Sequence, residues 1–386
     1  MSEWKNGYFL DYIELNPKVV LKKGDLYPFV DMASVDSITR IPISIELKQY
    51  TSGVKFQELD TVFARIEPCL QNGKRFLFKD FSSGFGSTEF LVFRAIKNKT
   101  TPLFVYYYMQ THRIKNIMIN SMTGATGRQR VNNDVFNHLT VKIPSLSIQN
   151  RIAEILSRYD SLIENYQKQI KLLEESALRL YKEWFVDLRF PGHENTKIVD
   201  GVPEGWEKKK LIDFTNIVMG QSPKSEFYNN DKMGLPFHQG VGSFGSRFVV
   251  DNVYSSCFTK IAESNSILFS VRAPVGRINI TNNKVAIGRG LASINHKRGF
   301  QSFLYYLLKS FFFEENIIGN GAIFASISKD DLYNLLFLIP DEKLVMDFNK
   351  VASEFDGKIK NISNQICILT EARDRLLPKL MSGDFL

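Results

Sequence analysis

The sequence predicts two copies of an α/β (α+β) globular domain, separated by two long antiparallel coiled-coil helices, in a pseudo-two-fold internal repeat. Three observations predict it. The chain matches itself at a shift of 196 residues, each copy ends in a long run of apolar residues at steps of three and four, and the basic excess falls into two separated blocks.

The repeat decides the architecture. Asp160, Gln169, Leu173, Glu175 and Arg179 fall on Asp356, Gln365, Leu369, Glu371 and Arg375 without a gap, and upstream Asp134, Ile143 and Pro144 fall on Asp330, Ile339 and Pro340. With slips of several residues Tyr27-Pro28-Phe29 answers Leu235-Pro236-Phe237, and Trp4 answers Trp206. The blocks between match poorly, so the helical parts are alike and the globular parts have diverged. The expected order is a globular domain over 1–146, a helical segment over 147–187, a linker over 188–204, a second globular domain over 205–340 and a second helical segment over 341–386.

Each helical segment carries a seam. Ile148, Ile152, Ile155, Tyr159, Leu162 and Tyr166 continue to Trp184 in the first, and Phe348, Val351, Phe355, Ile359 and Ile362 continue to Leu380 in the second. Such a seam needs a partner helix to cover it, and helices of roughly ten turns outrun the average globular helix several-fold. Ser147 and Asp341 are the expected N-caps, Pro191-Gly192 the expected end of the first helix, and Pro378 weakens the last turn of the second. The globular blocks alternate β-like runs, such as Phe90 to Phe93 and Val271 to Ile280, with Gly, Asn and Ser turns, and hold short helical stretches at Phe104 to Met109 and Phe303 to Leu308.

Composition excludes several classes. At 386 residues there is room for two or three cores. The longest apolar stretches, Ile317 to Phe324 and Leu335 to Pro340, are too short to span a bilayer, so no membrane is expected and the chain reads as cytoplasmic. Cys69, Cys257 and Cys367 stand far apart with no CxxC pair, which gives neither a disulfide framework nor a zinc site, and they read as buried or incidental thiols. There is no phosphate-binding Gly-Lys-Ser/Thr loop, no His-Glu-x-x-His and no Gly-x-Ser-x-Gly elbow. Asn16-Pro17 is followed by Lys18, which breaks the Asn-Pro-Pro-aromatic signature of amino-methyltransferases. The best nuclease-like spacing is Asp36 with Glu46-Leu47-Lys48, two carboxylates and a lysine that could hold magnesium. It has no counterpart in the second copy.

What does recur is DNA-binding vocabulary. The net charge is +8, and residues 1–146 hold 19 Lys and Arg against 13 Asp and Glu, residues 201–340 15 against 11. In the first block Asn72, Lys74 and Arg75, then Arg128, Gln129, Arg130 and Asn132, sit in Gly-rich loops; in the second Gln239, Arg247, Arg272, Arg277 and Arg289 do. Arg pairs with guanine and Asn or Gln with adenine through two hydrogen bonds each, whereas Lys mainly neutralises phosphate.

The joint between the copies carries a fairly specific signature: Ile143-Pro144-Ser145-Leu146-Ser147-Ile148-Gln149, a long helix, then Trp184-Phe185-Val186-Asp187 and Pro203-Glu204-Gly205-Trp206. With the weaker motifs Tyr27-Pro28-Phe29-Val30 and Gly220-Gln221-Ser222-Pro223, it resembles the specificity subunit of type I restriction-modification enzymes over essentially the whole chain. The resemblance implies two target recognition domains, each reading one half of a bipartite double-stranded DNA target. It implies helices that hold the halves apart and dock two modification (methyltransferase) subunits, through which restriction subunits join. S-adenosylmethionine, ATP and magnesium would then belong to the partners, and this chain would be non-catalytic with no cofactor of its own. The alternatives are a stand-alone nuclease using Asp36, Glu46 and Lys48, a methyltransferase with a drifted signature, or a basic scaffold with no DNA target.

Overall fold

The computed structural model describes residues 4–313 and 326–383, so the apolar stretch 317–324 lies outside the described residues. The chain divides into two units, one formed by the described residues up to Ile170 with those from Ile362 onward, the other by Lys171–Asn361. Each long helix is thereby shared between the units.

In the first unit an antiparallel sheet runs Ile13–Leu15, Phe90–Ala95, Thr61–Ala64, Arg75–Leu77. Its middle strands are buried at Thr61 to Ala64 and Phe90 to Phe93, which is why they read as continuous apolar runs rather than alternating ones. A second sheet runs Glu46–Gln49, Leu26–Val30, Ser83–Gly86, Val54–Gln57, with the two middle strands parallel. Glu46–Gln49 is exposed throughout, and its Glu and Lys suit an edge that must not recruit another strand. Pro102 opens the helix Pro102–Tyr108, where its missing N–H costs nothing, and Phe104 to Tyr108 fill the core beside Ile152, Leu156, Leu377 and Leu380 of the long helices.

The second unit repeats this plan. Its antiparallel sheet runs Thr215–Met219, Leu291–His296, Ile267–Ser270, Ile278–Ile280. Its second sheet runs Tyr228–Asn229, Tyr254–Ser255, Leu235–His238, Val285–Ile287, Ile261–Ala262, again with one parallel pair at its centre. The Tyr27-Pro28-Phe29 and Leu235-Pro236-Phe237 motifs thus occupy the same strand of the same sheet in each unit. Helix Gln301–Phe313 buries Phe303 to Leu308 against Ala177 and Tyr181 of one long helix and Phe348 and Ala352 of the other. Tyr181 and Trp184 meet Phe348 edge to face, at centroid distances of 5.7 Å and 5.8 Å.

The long helices span Leu146–Phe185 and Glu342–Ser382. Asp341 caps the second, accepting the Leu344 N–H at 3.0 Å. Ser147 is no cap: the first helix already begins at Leu146, and Ser147 lies in its first turn. Nor does Pro191-Gly192 end that helix. It stops at Phe185, where the Asp187 and Arg189 N–H groups turn back to the Lys182 and Glu183 carbonyls and Leu188 takes a φ of 56°. Pro378 lies inside the second helix, which continues to Ser382. The run Val271 to Ile280 is not one strand, because Pro274 and Gly276 turn the chain between Ile267–Ser270 and Ile278–Ile280.

Candidate nucleic-acid interface

Because Leu235–His238 and Val285–Ile287 run parallel, their C-terminal ends finish side by side, and Gln239 comes next to Gly288-Arg289-Gly290. The Gly288 N–H donates to the His238 carbonyl at 2.8 Å, and Val271 N–H, at the end of Ile267–Ser270, donates to the Gly290 carbonyl at 3.0 Å. Three residues singled out in the sequence, Gln239, Arg272 and Arg289, therefore line one cleft of about 180 Å³ with no acidic residue in its wall. All three are exposed, and neither arginine side chain hydrogen-bonds or ion-pairs with another described residue. Arg277 is exposed across the same hairpin, with its backbone N–H on the Ser270 hydroxyl at 2.9 Å.

Two side chains that hold this cleft were not legible beforehand. His238 is buried between Ser243 Oγ (2.8 Å from Nδ1) and Asp251 (3.0 Å from Nε2), so it fastens two points of the loop that follows Gln239. Burial keeps its pKa below the ordinary value against the upward pull of Asp251. Ser222, of the Gly-Gln-Ser-Pro motif, accepts the Arg289 N–H at 3.2 Å.

Arg247, proposed from sequence as a DNA contact, is only 1% exposed and is not available to one. Its guanidinium is engaged by Asp356, by Glu174 at 3.3 Å and by the Tyr306 hydroxyl, and it lies 4.3 Å over the Tyr305 ring. Arg75 is likewise buried, donating to the Ser37 and Gly73 carbonyls at 3.1 Å and 2.9 Å, so it closes its own turn instead of reaching solvent. Lys74 is tied to the Met32 carbonyl at 2.8 Å, which leaves Asn72 as the exposed member of that motif.

The loop over 123–131 of the first unit behaves differently. Arg128 is exposed at its tip and Gln129 donates to the Gly124 carbonyl at 3.4 Å. Arg130 is gripped by Glu89 through Nε and Nη2 at 2.8 Å and 2.7 Å, a fork that fixes where its remaining donors point. That pairing holds the Glu89 carboxyl below its usual range. Asn132 caps the following short turn by accepting the Asp134 N–H at 3.0 Å. A second basic cleft, of about 320 Å³, gathers Asn16, Lys18, Lys55 and Arg65. Asn16-Pro17-Lys18, which lacks the second proline and the aromatic residue of the methyltransferase signature, lines it instead with a polar and a basic group.

The nuclease-like set does not assemble. The Asp36 carboxylate is spent on the Ile38 and Thr39 backbone and the Thr39 hydroxyl, at 2.8–2.9 Å, while Glu46 pairs with Lys48 at 2.9 Å on the exposed edge strand. Among the described residues no group of three His, Cys, Asp or Glu is placed to hold a metal, and no helix is long and apolar enough to cross a membrane. The three cysteines are free and none is fully buried.

Fold and clefts together define a duplicated mixed-sheet module with basic loops, carried on shared long helices. The model of the type I restriction modification DNA specificity domain matches this chain twice, over residues 14–175 and 203–351. The chain belongs to that family, and is a non-catalytic specificity subunit. A Methanocaldococcus jannaschii chain named as the MjaX specificity subunit of a type I restriction enzyme is 29% identical over 369 residues, covering 90% of this chain and 85% of its own. The MjaIX specificity subunit of the same organism is 28% identical over 297 residues, covering 73% of this chain and 68% of its own. The crystal structure of a type I restriction-modification S subunit from M. genitalium shares the fold, with a TM-score of 0.57 and 17% identity over 98% of this chain and 96% of that one.

Proposed function

We propose that this chain reads a bipartite double-stranded DNA target for a type I restriction-modification complex, one half-site per unit. On this reading residues 1–146 and 205–340 are the target recognition domains, joined by the 188–204 linker. The segments 147–187 and 341–386 pair as an antiparallel coiled coil about a pseudo-two-fold axis, hold the domains apart and dock two methyltransferase subunits. The observation that carries the reading is the repeated strand order of the two units, each with basic, Gly-flanked loops that fall within one of the two family matches. Arg128, Gln129 and Arg130 in one unit and Gln239, Arg272, Arg277 and Arg289 in the other are the proposed DNA contacts, with Asn72 and Asn132 beside them. S-adenosylmethionine, ATP and magnesium would bind to the partner subunits, in the cytoplasm, with restriction subunits joining through the methyltransferases.

The test is methylation with and without the partner. The purified chain should neither methylate nor cut DNA, and addition of its methyltransferase subunit should give methylation at one split motif, read by methylome sequencing. Methyl transfer by the chain alone, or methylation at a continuous motif, would refute the proposal.

A further inference from the structure

We infer that Arg289 is a guanine-reading residue of the second unit, its paired hydrogen bonds to one guanine fixing one base of that half-site. The inference rests on the proposed reading of the chain and gives it a base.

The first support is the rigidity of the backbone that presents Arg289. A Cβ on Gly290 would lie 2.3 Å from the Gln239 carbonyl oxygen, and one on Gly288 would lie 3.0 Å from the Gln239 Cα, so the residues on both sides of Arg289 are pressed onto the neighbouring strand end where a side chain does not fit. The Arg289 N–H is held by Ser222 Oγ, and its neighbours by the His238 carbonyl and the Val271 N–H. Val285–Ile287 before it and Leu291–His296 after it belong to two different sheets. A reading group mounted on fixed elements loses little freedom on binding.

The second support is that the guanidinium is unspent. Arg247 gives its donors to Asp356, Glu174 and Tyr306, and Arg130 gives two to Glu89. Arg289 is exposed in an acid-free cleft and pairs with no described residue, which leaves five N–H donors in a planar fork. The major-groove edge of guanine offers two coplanar acceptors, N7 and O6, at the spacing of that fork. A phosphate would also accept it. Of its companions in the cleft, Arg272 suits base and phosphate alike, and Gln239 favours the base: it brings a donor and an acceptor together, which matches the adenine edge and adds little against a phosphate.

The test uses the complex with its methyltransferase subunit, carrying the wild-type chain, Arg289→Lys or Arg289→Ala. Lysine keeps the charge and loses the fork. Both variants should lower the preference for guanine at one position of one half-site by about 10- to 100-fold, leaving the other half-site intact. Full guanine preference in Arg289→Lys would overturn the inference. So would uniform weakening on all sequences with a salt slope smaller by about one, the mark of a phosphate contact, or a wild-type half-site without guanine. A split motif in the wild type that neither variant alters defeats only the inference; no split motif in the wild type defeats the proposed function as well.

Discussion

Arg247 and Asp356 form a buried ion pair inside the second unit, joining the loop after Leu235–His238 to the second long helix. The matching carboxylate at the 196-residue shift, Asp160, is held in the first unit by Arg373 at 2.6 Å. Each carboxylate also accepts a tyrosine hydroxyl, Tyr306 on Asp356 at 2.9 Å and Tyr107 on Asp160 at 2.5 Å. The arginine comes from different parts of the chain in the two units, yet the buried carboxylate and its tyrosine are kept. Burial with that carboxylate pushes the Tyr107 hydroxyl pKa well above its ordinary value, so it stays a donor at any working pH.

Removing one partner of such a pair leaves a charge with little water to replace it. Arg247→Met should therefore destabilise the chain by about 3 kcal/mol or more. Arg247→Lys should lose much of the same stability, because one ammonium cannot span Asp356, Glu174 and Tyr306. Urea melts check this: a midpoint within error of wild type for Arg247→Met would show the pair to be energetically idle.

Exposed arginines should behave in the opposite way, changing specificity without changing stability. Arg128→Ala or Arg130→Ala should relax the half-site read by the first unit only, and Arg272→Ala or Arg277→Ala the other, each lost base contact costing about 1–3 kcal/mol of discrimination. Methylome sequencing of each variant complex reads the outcome. Equal changes in both half-sites would defeat independent reading by the two units.

The contrast between Arg247 and Arg289 shows where sequence reasoning stops. Both stand among Gly and Ser in the second basic block, and composition treats them alike. Their fates are set by partners distant in sequence: Tyr305, Tyr306 and Asp356 enclose one, while parallel pairing of Leu235–His238 with Val285–Ile287 lifts the other into a cleft. The repeat was legible in the match of the chain with itself at a shift of 196 residues, the long helices in the three- and four-residue spacing of their apolar positions, and the Asp341 cap in its residue type just ahead of the second helix. The Ser147 cap failed by a small margin, and the Pro191 stop failed because Leu188 adopts a conformation that its residue type does not advertise. Arg75 failed for the same reason as Arg247: nothing near it in sequence announces that Ser37 will take its guanidinium.

Acid should weaken the second unit through His296. Burial first, then the charge of Arg298, lowers its pKa from the ordinary 6.5 to about 4, and its unprotonated Nδ1 accepts the Arg298 N–H at 3.1 Å. The folded state thus binds the proton less readily than the unfolded chain. His296 imposes no penalty above about pH 6.5, and its penalty grows as pH falls from there to about 4, where it levels off. Thermal melts across that window should show a shallower acid loss for His296→Asn, which keeps an acceptor and cannot charge. A variant with the slope of the wild type would assign the acid loss to other groups.

The last prediction treats the helices as a ruler. At about 1.5 Å per residue, the 40 residues of Leu146–Phe185 and the 41 of Glu342–Ser382 each span roughly 60 Å, ample for half-sites about one DNA turn apart. An insertion after Glu174 would move that residue relative to the rest of its unit and disturb its hold on Arg247. The unit boundary, between Ile170 and Lys171 in one helix and Asn361 and Ile362 in the other, leaves Arg247 with Glu174 and Asp356, and Arg373 with Asp160. Four residues inserted at both boundaries lengthen each helix by about 6 Å and turn it about 40° past a full turn, so the apolar seams survive in part. On DNA rising about 3.4 Å per base pair, the unspecified spacer of the target should grow by one or two base pairs while both half-site sequences stay the same. Methylome sequencing of the double insertion decides it. An unchanged spacer with retained activity refutes the ruler, and an altered half-site shows that the helices also shape the reading surfaces.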